Sequence, residues 1–61
     1  MNTDAVVGVV RYEYFINGKS YIGNDALYKA YNTAKAVDEL KYELMIQLGA
    51  DRVEIKQFIY M

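Results

Sequence analysis

Acidic side chains in the second half of the chain are the residues best suited to chemistry. Asp38, Glu39 and Glu43 would lie together on a helix, and paired carboxylates can act as general acid and base or bind Mg²⁺ or Ca²⁺. Lys35, however, lies four residues before Glu39, where the two side chains can pair on a helix surface. Lys41 lies three residues after Asp38 and offers it a similar pairing. This pattern is typical of a solvated helix face, so we predict neither catalysis nor metal binding from these acids.

Missing residue types exclude most other chemistry. The 61 residues include no histidine and no cysteine, which removes imidazole catalysis, thiol chemistry, disulfides and the usual zinc ligand sets. The four glycines stand singly, so they form neither a P-loop nor a dinucleotide-binding motif. The sequence therefore predicts that the protein is not an enzyme and that it has no catalytic residues, no metal site and no cofactor.

Charge and hydropathy argue against long-range electrostatic attraction and against membrane insertion. Seven Lys and Arg residues against eight Asp and Glu residues give a net charge of -1, so no strong field attracts phosphate backbones or anionic lipid. The longest apolar run, residues 5–10 with Gly8 inside it, is far shorter than the roughly 20 residues of a membrane-spanning helix. The first four residues lack the basic start and apolar stretch of a secretory signal. We expect a cytoplasmic protein with no membrane segment.

Two strands and a tight turn are predicted at the start of the chain. Residues 5–16 are rich in Val, Tyr, Phe and Ile, which favours a half-buried strand. Asn17-Gly18 tolerates two successive positive φ values and favours a two-residue type I′ hairpin, after which a second strand runs from Lys19 to residues 23–25. This turn sets the register, pairing Ile16 with Lys19, Phe15 with Ser20, Tyr14 with Tyr21, Glu13 with Ile22 and Tyr12 with Gly23.

A long helix is predicted over residues 26–48. This stretch contains no Gly or Pro, and Asp25 can cap its first turn. Alternatively, Asn32-Thr33 caps a later helix, and residues 25–31 form a loop or a separate turn. Gly49 fits the left-handed position that ends a helix. One side of the helix would form an apolar core stripe of Ala26, Ala30, Thr33, Val37, Leu40, Leu44 and Leu48.

The third strand is predicted from Arg52 to Tyr60 and completes a small sheet. A right-handed crossover from the second strand through the helix places this strand beside the first. The predicted fold class is therefore α+β: one domain over residues 1–61, in β-β-α-β order, with a three-stranded antiparallel sheet of order 2-1-3 and one long helix packed on one face. Alternation divides the third strand between two faces, with Val53, Ile55 and Ile59 on one and Glu54, Lys56, Phe58 and Tyr60 on the other.

Tyrosine is unusually frequent in this chain, which has seven in 61 residues. Tyr12, Tyr14 and Tyr21 share the predicted core face, so we expect their rings to pack under the helix with the hydroxyls at its rim. A second helical stripe lies opposite the core stripe and would form an exposed aromatic patch. We predict that this stripe binds a partner protein through Tyr28, Tyr31, Lys35, Tyr42 and Ile46.

The sheet face away from the helix is expected to stay uncovered by the rest of the chain. Apolar residues make up 54% of the sequence, more than the interior of so small a domain holds. The residues predicted on this face are Val7, Val9, Arg11, Glu13, Phe15, Ser20, Ile22, Lys56, Phe58 and Tyr60. We predict that the chain forms a homodimer through part of it, namely Arg11, Phe15, Ile22, Lys56, Phe58 and Tyr60.

Mixed charge and aromatic residues on that face lead to two functional hypotheses. Tyr, Phe and Arg are enriched in protein interfaces, whereas Glu13 and Glu54 offset the positive charge that nucleic acid would need. In size and β-β-α-β pattern the chain resembles accessory proteins encoded by phages and mobile elements, many of which bind one host or viral protein. The leading hypothesis is a non-enzymatic protein-binding module, a homo-oligomeric accessory or inhibitor protein that occupies a surface of its partner. The alternative is single-stranded nucleic-acid binding through the open sheet face.

Overall fold

The computed structural model describes residues 5–61, so the interpretation of the first four residues lies outside the described part of the chain. The order of elements confirms the predicted β-β-α-β fold, and the antiparallel sheet has the predicted order β2-β1-β3. The elements are β1 (Val6–Ile16), β2 (Lys19–Tyr28), a 3₁₀ helix (Lys29–Tyr31), α1 (Ala34–Leu48) and β3 (Arg52–Tyr60).

The turn between β1 and β2 is the predicted type I′ hairpin. Asn17 has a φ of 52° and Gly18 a φ of 80°, the two positive values that this turn requires. The register from Ile16 opposite Lys19 to Tyr12 opposite Gly23 is confirmed. At Gly23 a Cβ atom would lie 2.6 Å from Cζ of Tyr12, because the tyrosine ring covers the glycine.

We expect Gly18→Val to destabilise the fold by about 1 to 2 kcal/mol, since a β-branched residue adopts a positive φ only at that cost. Nothing lies within 4 Å of the added Cβ, so the effect would come from backbone strain and not from a clash. Urea unfolding followed by circular dichroism measures the change. Asn17→Gly is the control and should cost less than about 1 kcal/mol. Equal stability of the Val variant and the parent would contradict the turn type.

The second strand is longer than predicted, and its extension displaces the start of the helix. Asp25 pairs with Val10 in the sheet, so its predicted role as a helix cap is wrong. The strand continues to Tyr28 because β1 still offers backbone partners as far as Val6, and Leu27 is buried in the process. Hydrogen bonding to an existing strand thus outweighs the helical preference of this alanine-containing segment.

The helix begins where the alternative interpretation placed it. Thr33 is the N-cap, and its Oγ1 accepts a hydrogen bond from the Ala36 N–H at 3.2 Å. A single helix from Ala26 is therefore wrong. Gly49 ends the helix with a φ of 66°, as predicted. Within residues 5–61, no helix has the length and apolarity needed to cross a membrane.

The core lies between α1 and one side of the sheet, which we call the helix-side face. Leu40 and Leu44 of the predicted core stripe are buried there. Tyr12 lies in the same cluster, where burial, and to a lesser extent the negative charge of Asp25, raises the pKa of its hydroxyl. The buried cluster comprises Val10, Tyr12, Leu27, Leu40, Leu44, Ala50 and Val53.

A β-bulge interrupts the pairing of β1 with β3. Tyr12 lies opposite Ile55, but the preceding residue Arg11 lies opposite Gln57, so Lys56 is an extra residue in β3. One extra residue exchanges the two faces for the remainder of the strand. Strict alternation, on which the predicted faces of β3 rested, therefore fails beyond this point.

Three predicted positions are wrong because of this bulge. Phe58 pairs with Val10 and packs against the core, and Tyr60 pairs with Gly8 on the same helix-side face. Ile59 turns to the opposite face. Phe58 and Tyr60 consequently do not belong to the surface on which self-association was predicted.

A second irregularity lies at the start of β1. Val6 pairs with Tyr28 and Gly8 with Leu27, so Val7 is an extra residue between them. Val7 packs against the core, and its predicted place on the opposite face is wrong for the same physical reason.

Candidate functional site

The sheet side opposite α1, which we call the distal face, is a candidate binding surface. Within residues 5–61, no helix or further strand covers it. It lies across all three strands, so its side chains are held by backbone pairing on a rigid support. The register places on it Val9, Arg11, Glu13, Phe15, Ser20, Ile22, Asn24, Ala26, Arg52, Glu54, Lys56, Gln57 and Ile59.

Most predicted residues of this face are where the sequence placed them. Arg11, Phe15, Ile22 and Lys56 remain on the distal face, as do Val9, Glu13 and Ser20. Sequence reasoning missed Asn24, Ala26, Arg52, Gln57 and Ile59. The spacing of apolar residues in β3 contained a signal for Ile59, because Ile55 and Phe58 are separated by two polar residues where alternation requires one.

Ion pairs join the charged residues of the distal face. The Lys56 Nζ lies 3.3 Å from Oε1 of Glu13 and 3.3 Å from Oε1 of Glu54. Hydrogen bonds to these carboxylates, first Glu54 and then Glu13, raise the pKa of Lys56 above its ordinary value. The Arg52 Nη2 lies 3.0 Å from Oε2 of Glu54, and its guanidinium carbon lies 4.3 Å from the centre of the Phe15 ring. Lys56 and Arg52 are thus already compensated within the chain.

Apolar side chains flank this charged network. Ile22 is 52% exposed and Ile59 is 43% exposed, while Val9 and Phe15 are half-buried. Arg11 lies between them and forms no ion pair within 4.0 Å with another described residue. The distal face therefore combines accessible hydrocarbon with charges that, apart from Arg11, are paired with one another, and protein interfaces have a similar composition.

The outer side of α1 carries a smaller apolar surface than predicted. Tyr42 is 67% exposed and Ile46 is 70% exposed, and Lys35 is exposed on the same helix. Tyr28 and Tyr31 are not on this helix: one ends β2 and the other ends the 3₁₀ helix. The predicted stripe is therefore reduced to three residues on α1.

Helix acids do not form the predicted pairs. Asp38, Glu39 and Glu43 line a shallow depression on the exposed side of α1 together with Lys35 and Tyr42. Among the described residues, every ion pair within 4.0 Å lies within β3 or joins β3 to β1, so the acids of α1 take part in none. No group of three or more acidic side chains within residues 5–61 is placed to hold a metal ion.

An aromatic cleft lies at the end of the helix-side face near the start of β1. Tyr28 and Tyr31 meet edge to face with ring centres 5.7 Å apart, and Tyr60 lines the same cleft. It encloses about 370 Å³ and is lined in addition by Val7, Leu27, Lys29 and Asn32. Sequence reasoning missed it because the cleft depends on the extension of β2 to Tyr28 and on the bulge that turns Tyr60 to this face.

The fold and its surfaces define a small α+β domain whose three-stranded sheet is covered by α1 on one face and left uncovered on the other by residues 5–61. Comparison of the chain with protein-family models, with curated proteins and with solved structures finds no match.

Proposed function

We propose that this chain is a non-enzymatic protein-binding module, which forms homodimers and acts as an accessory or inhibitor protein by occupying a surface of a partner protein. The single observation that carries the proposal is the distal face, which is uncovered by the described chain and carries accessible Ile22 and Ile59 in addition to Phe15. Uncovered apolar side chains held on a rigid sheet favour association, because their burial releases water.

Charge on the distal face supports a protein partner over nucleic acid. Lys56 is engaged by two carboxylates, and Arg52 by one carboxylate and an aromatic ring. A phosphate backbone would have to compete with these internal partners, and the net charge of -1 adds no attraction. A protein surface can cover charges that are already paired at a smaller desolvation cost than isolated ones.

The distal face is favoured over α1 as the partner-binding surface. Once Tyr28 and Tyr31 are removed from the predicted helical stripe, α1 presents two large apolar side chains, Tyr42 and Ile46. The distal face presents apolar groups on all three strands. Interfaces gain most of their affinity from a few well-packed anchors, for which Phe15 and Ile59 are our candidates.

We expect Ile59→Glu to weaken partner binding by about tenfold or more, because it replaces an apolar anchor with a carboxylate. Tyr42→Glu introduces the same group at an exposed apolar position on α1 and should leave binding within about twofold of the parent. The tagged chain would first be used to isolate the partner from its native host. Calorimetry with the purified partner would then compare the two variants.

The reverse result, with Tyr42→Glu alone losing binding, would move the partner surface to α1. Wild-type affinity in both variants would rule out the distal face as the partner-binding surface. Binding of a single-stranded oligonucleotide, with affinity falling with salt at a log-log slope of about -0.7 per phosphate contact, would favour the nucleic-acid alternative.

A further inference from the structure

The two edges of the sheet differ in how they are protected against pairing with another strand. Edge strand β3 carries a bulge at Lys56 and three charged residues, which are devices that discourage pairing. Edge strand β2 pairs with β1 without irregularity from Lys19 to Leu27. Its residues 20–24 carry no charge, and the strand contains no proline. The β2 edge is therefore open to another strand.

Backbone geometry shows which groups β2 offers. The Phe15 carbonyl faces β3, because it accepts a hydrogen bond from the Asp51 N–H at 2.8 Å on that side. The direction of backbone hydrogen bonds alternates along an antiparallel strand. The even-numbered residues of β1 therefore exchange hydrogen bonds with the odd-numbered residues of β2. The intervening residues Ser20, Ile22 and Asn24 direct their N–H and C=O groups away from β1, toward the open edge.

We propose that β2 pairs antiparallel with β2 of a second copy of this chain, about a two-fold axis at Ile22. The inference rests on the homodimer in the proposed function and names its interface. Ile22 then lies opposite Ile22 of the second copy, and Ser20 lies opposite its Asn24. Three residue pairs exchange both backbone hydrogen bonds, and the two sheets become one six-stranded sheet.

Charge complementarity selects this register. With the axis at Ile22, Lys19 lies opposite Asp25 of the second copy, and the symmetry repeats this pair. An axis at Tyr21 places Lys19 opposite a glycine. An axis at Gly23 places Lys19 opposite a leucine, so opposite charges meet directly only when the axis passes through Ile22.

Packing on the helix-side face leaves room for the second copy. Helix α1 packs over β3, the strand farthest from this edge. Tyr21 remains exposed, stacked on Tyr14 at 5.2 Å between ring centres. In the dimer Tyr21 lies opposite Gly23 of the second copy and gains contact with the Tyr12 ring that covers this glycine. On the other side, the two distal faces join into one continuous surface.

Cysteine cross-linking tests the register directly, because the chain has no cysteine of its own. Ile22→Cys should form a disulfide-linked dimer under mild oxidation, since opposite Cα atoms in a hydrogen-bonded antiparallel pair lie about 5.5 Å apart. Asn24→Cys is the matched control on the same strand and face. Its two copies would lie roughly 13 Å apart along the strands, too far for a disulfide. A mixture of Ser20→Cys and Asn24→Cys should link as a heterodimer.

Ile22→Pro provides a test without oxidation. Proline removes an N–H that points away from β1, so the monomer should keep its circular dichroism spectrum while losing the dimer. Light scattering should give twice 7.0 kDa for the parent and 7.0 kDa for this variant. A monomeric parent would overturn both the proposed β2–β2 pairing and the proposed homodimer. Two results with a dimeric parent would overturn the β2–β2 pairing but not the homodimer. In one, Asn24→Cys forms the disulfide-linked dimer as readily as Ile22→Cys. In the other, Ile22→Pro stays dimeric.

Discussion

Leu44→Ala should lower the free energy of unfolding by about 2 to 5 kcal/mol. Leu44 is 3% exposed in the buried cluster between α1 and the sheet, so its truncation removes packing contacts and leaves a cavity. A domain of 61 residues has a total stability of about 3 to 9 kcal/mol. The substitution therefore removes a large share of it, and a lower midpoint in urea followed by circular dichroism would show the loss.

Ile46→Ala is the matched control for Leu44→Ala. Ile46 lies on the same helix and is 70% exposed, so its truncation should change stability by less than about 0.5 kcal/mol. Equal effects of the two substitutions would mean that α1 does not bury the side that carries Leu44. The helix would then pack on the sheet in another rotation.

Gly8→Ala should destabilise the fold by about 2 to 4 kcal/mol. A Cβ at this position would lie 2.9 Å from the Cα of Tyr60 and would overlap the Ile59 carbonyl oxygen, so the backbone of β3 must move. This movement would break hydrogen bonds between β1 and the end of β3, including the bond from the Met61 N–H to the Val7 carbonyl at 2.9 Å. Hydrogen exchange would show lost protection at this end of β3.

Gly49→Ala separates steric overlap from backbone strain. Gly49 has a φ of 66° and nothing within 4 Å of an added Cβ, so alanine there should cost only about 1 kcal/mol. Hydrogen exchange should then speed up throughout the chain to the same modest degree. A Gly8 variant that keeps parental stability and exchange would show that the two strands lie farther apart than described.

Local sequence signals and general folding rules were sufficient to predict the hairpin, the end of the helix and the order of the strands. Asn17-Gly18 determines its own turn because few other dipeptides adopt two positive φ values. Gly49 ends the helix for a similar reason. The handedness of the crossover then leaves one place for β3, beside β1. Each of these features depends on residues close in sequence or on a rule that does not involve particular side chains.

The length of β2 depended on contacts between distant parts of the chain. Residues 25–28 have helical composition, yet they extend the sheet because β1 supplies hydrogen-bond partners and Leu27 gains burial. The same competition moves the start of the helix to Ala34, after the Thr33 cap. Propensity differences of a few tenths of a kcal/mol per residue are smaller than the gain from burying one leucine.

The candidate site likewise depended partly on the local sequence and partly on contacts between distant parts of the chain. The sequence alone determined that the protein lacks histidine and cysteine chemistry and that Phe15 and Ile22 lie on the sheet face opposite the helix. Only the tertiary structure decided that Phe58 and Tyr60 turn toward the helix-side face and Ile59 turns away from it. The bulge at Lys56 causes this exchange, because one unpaired residue reverses the alternation of every side chain that follows. With the bulge in place, both Ile55 and Phe58 pack against the buried cluster.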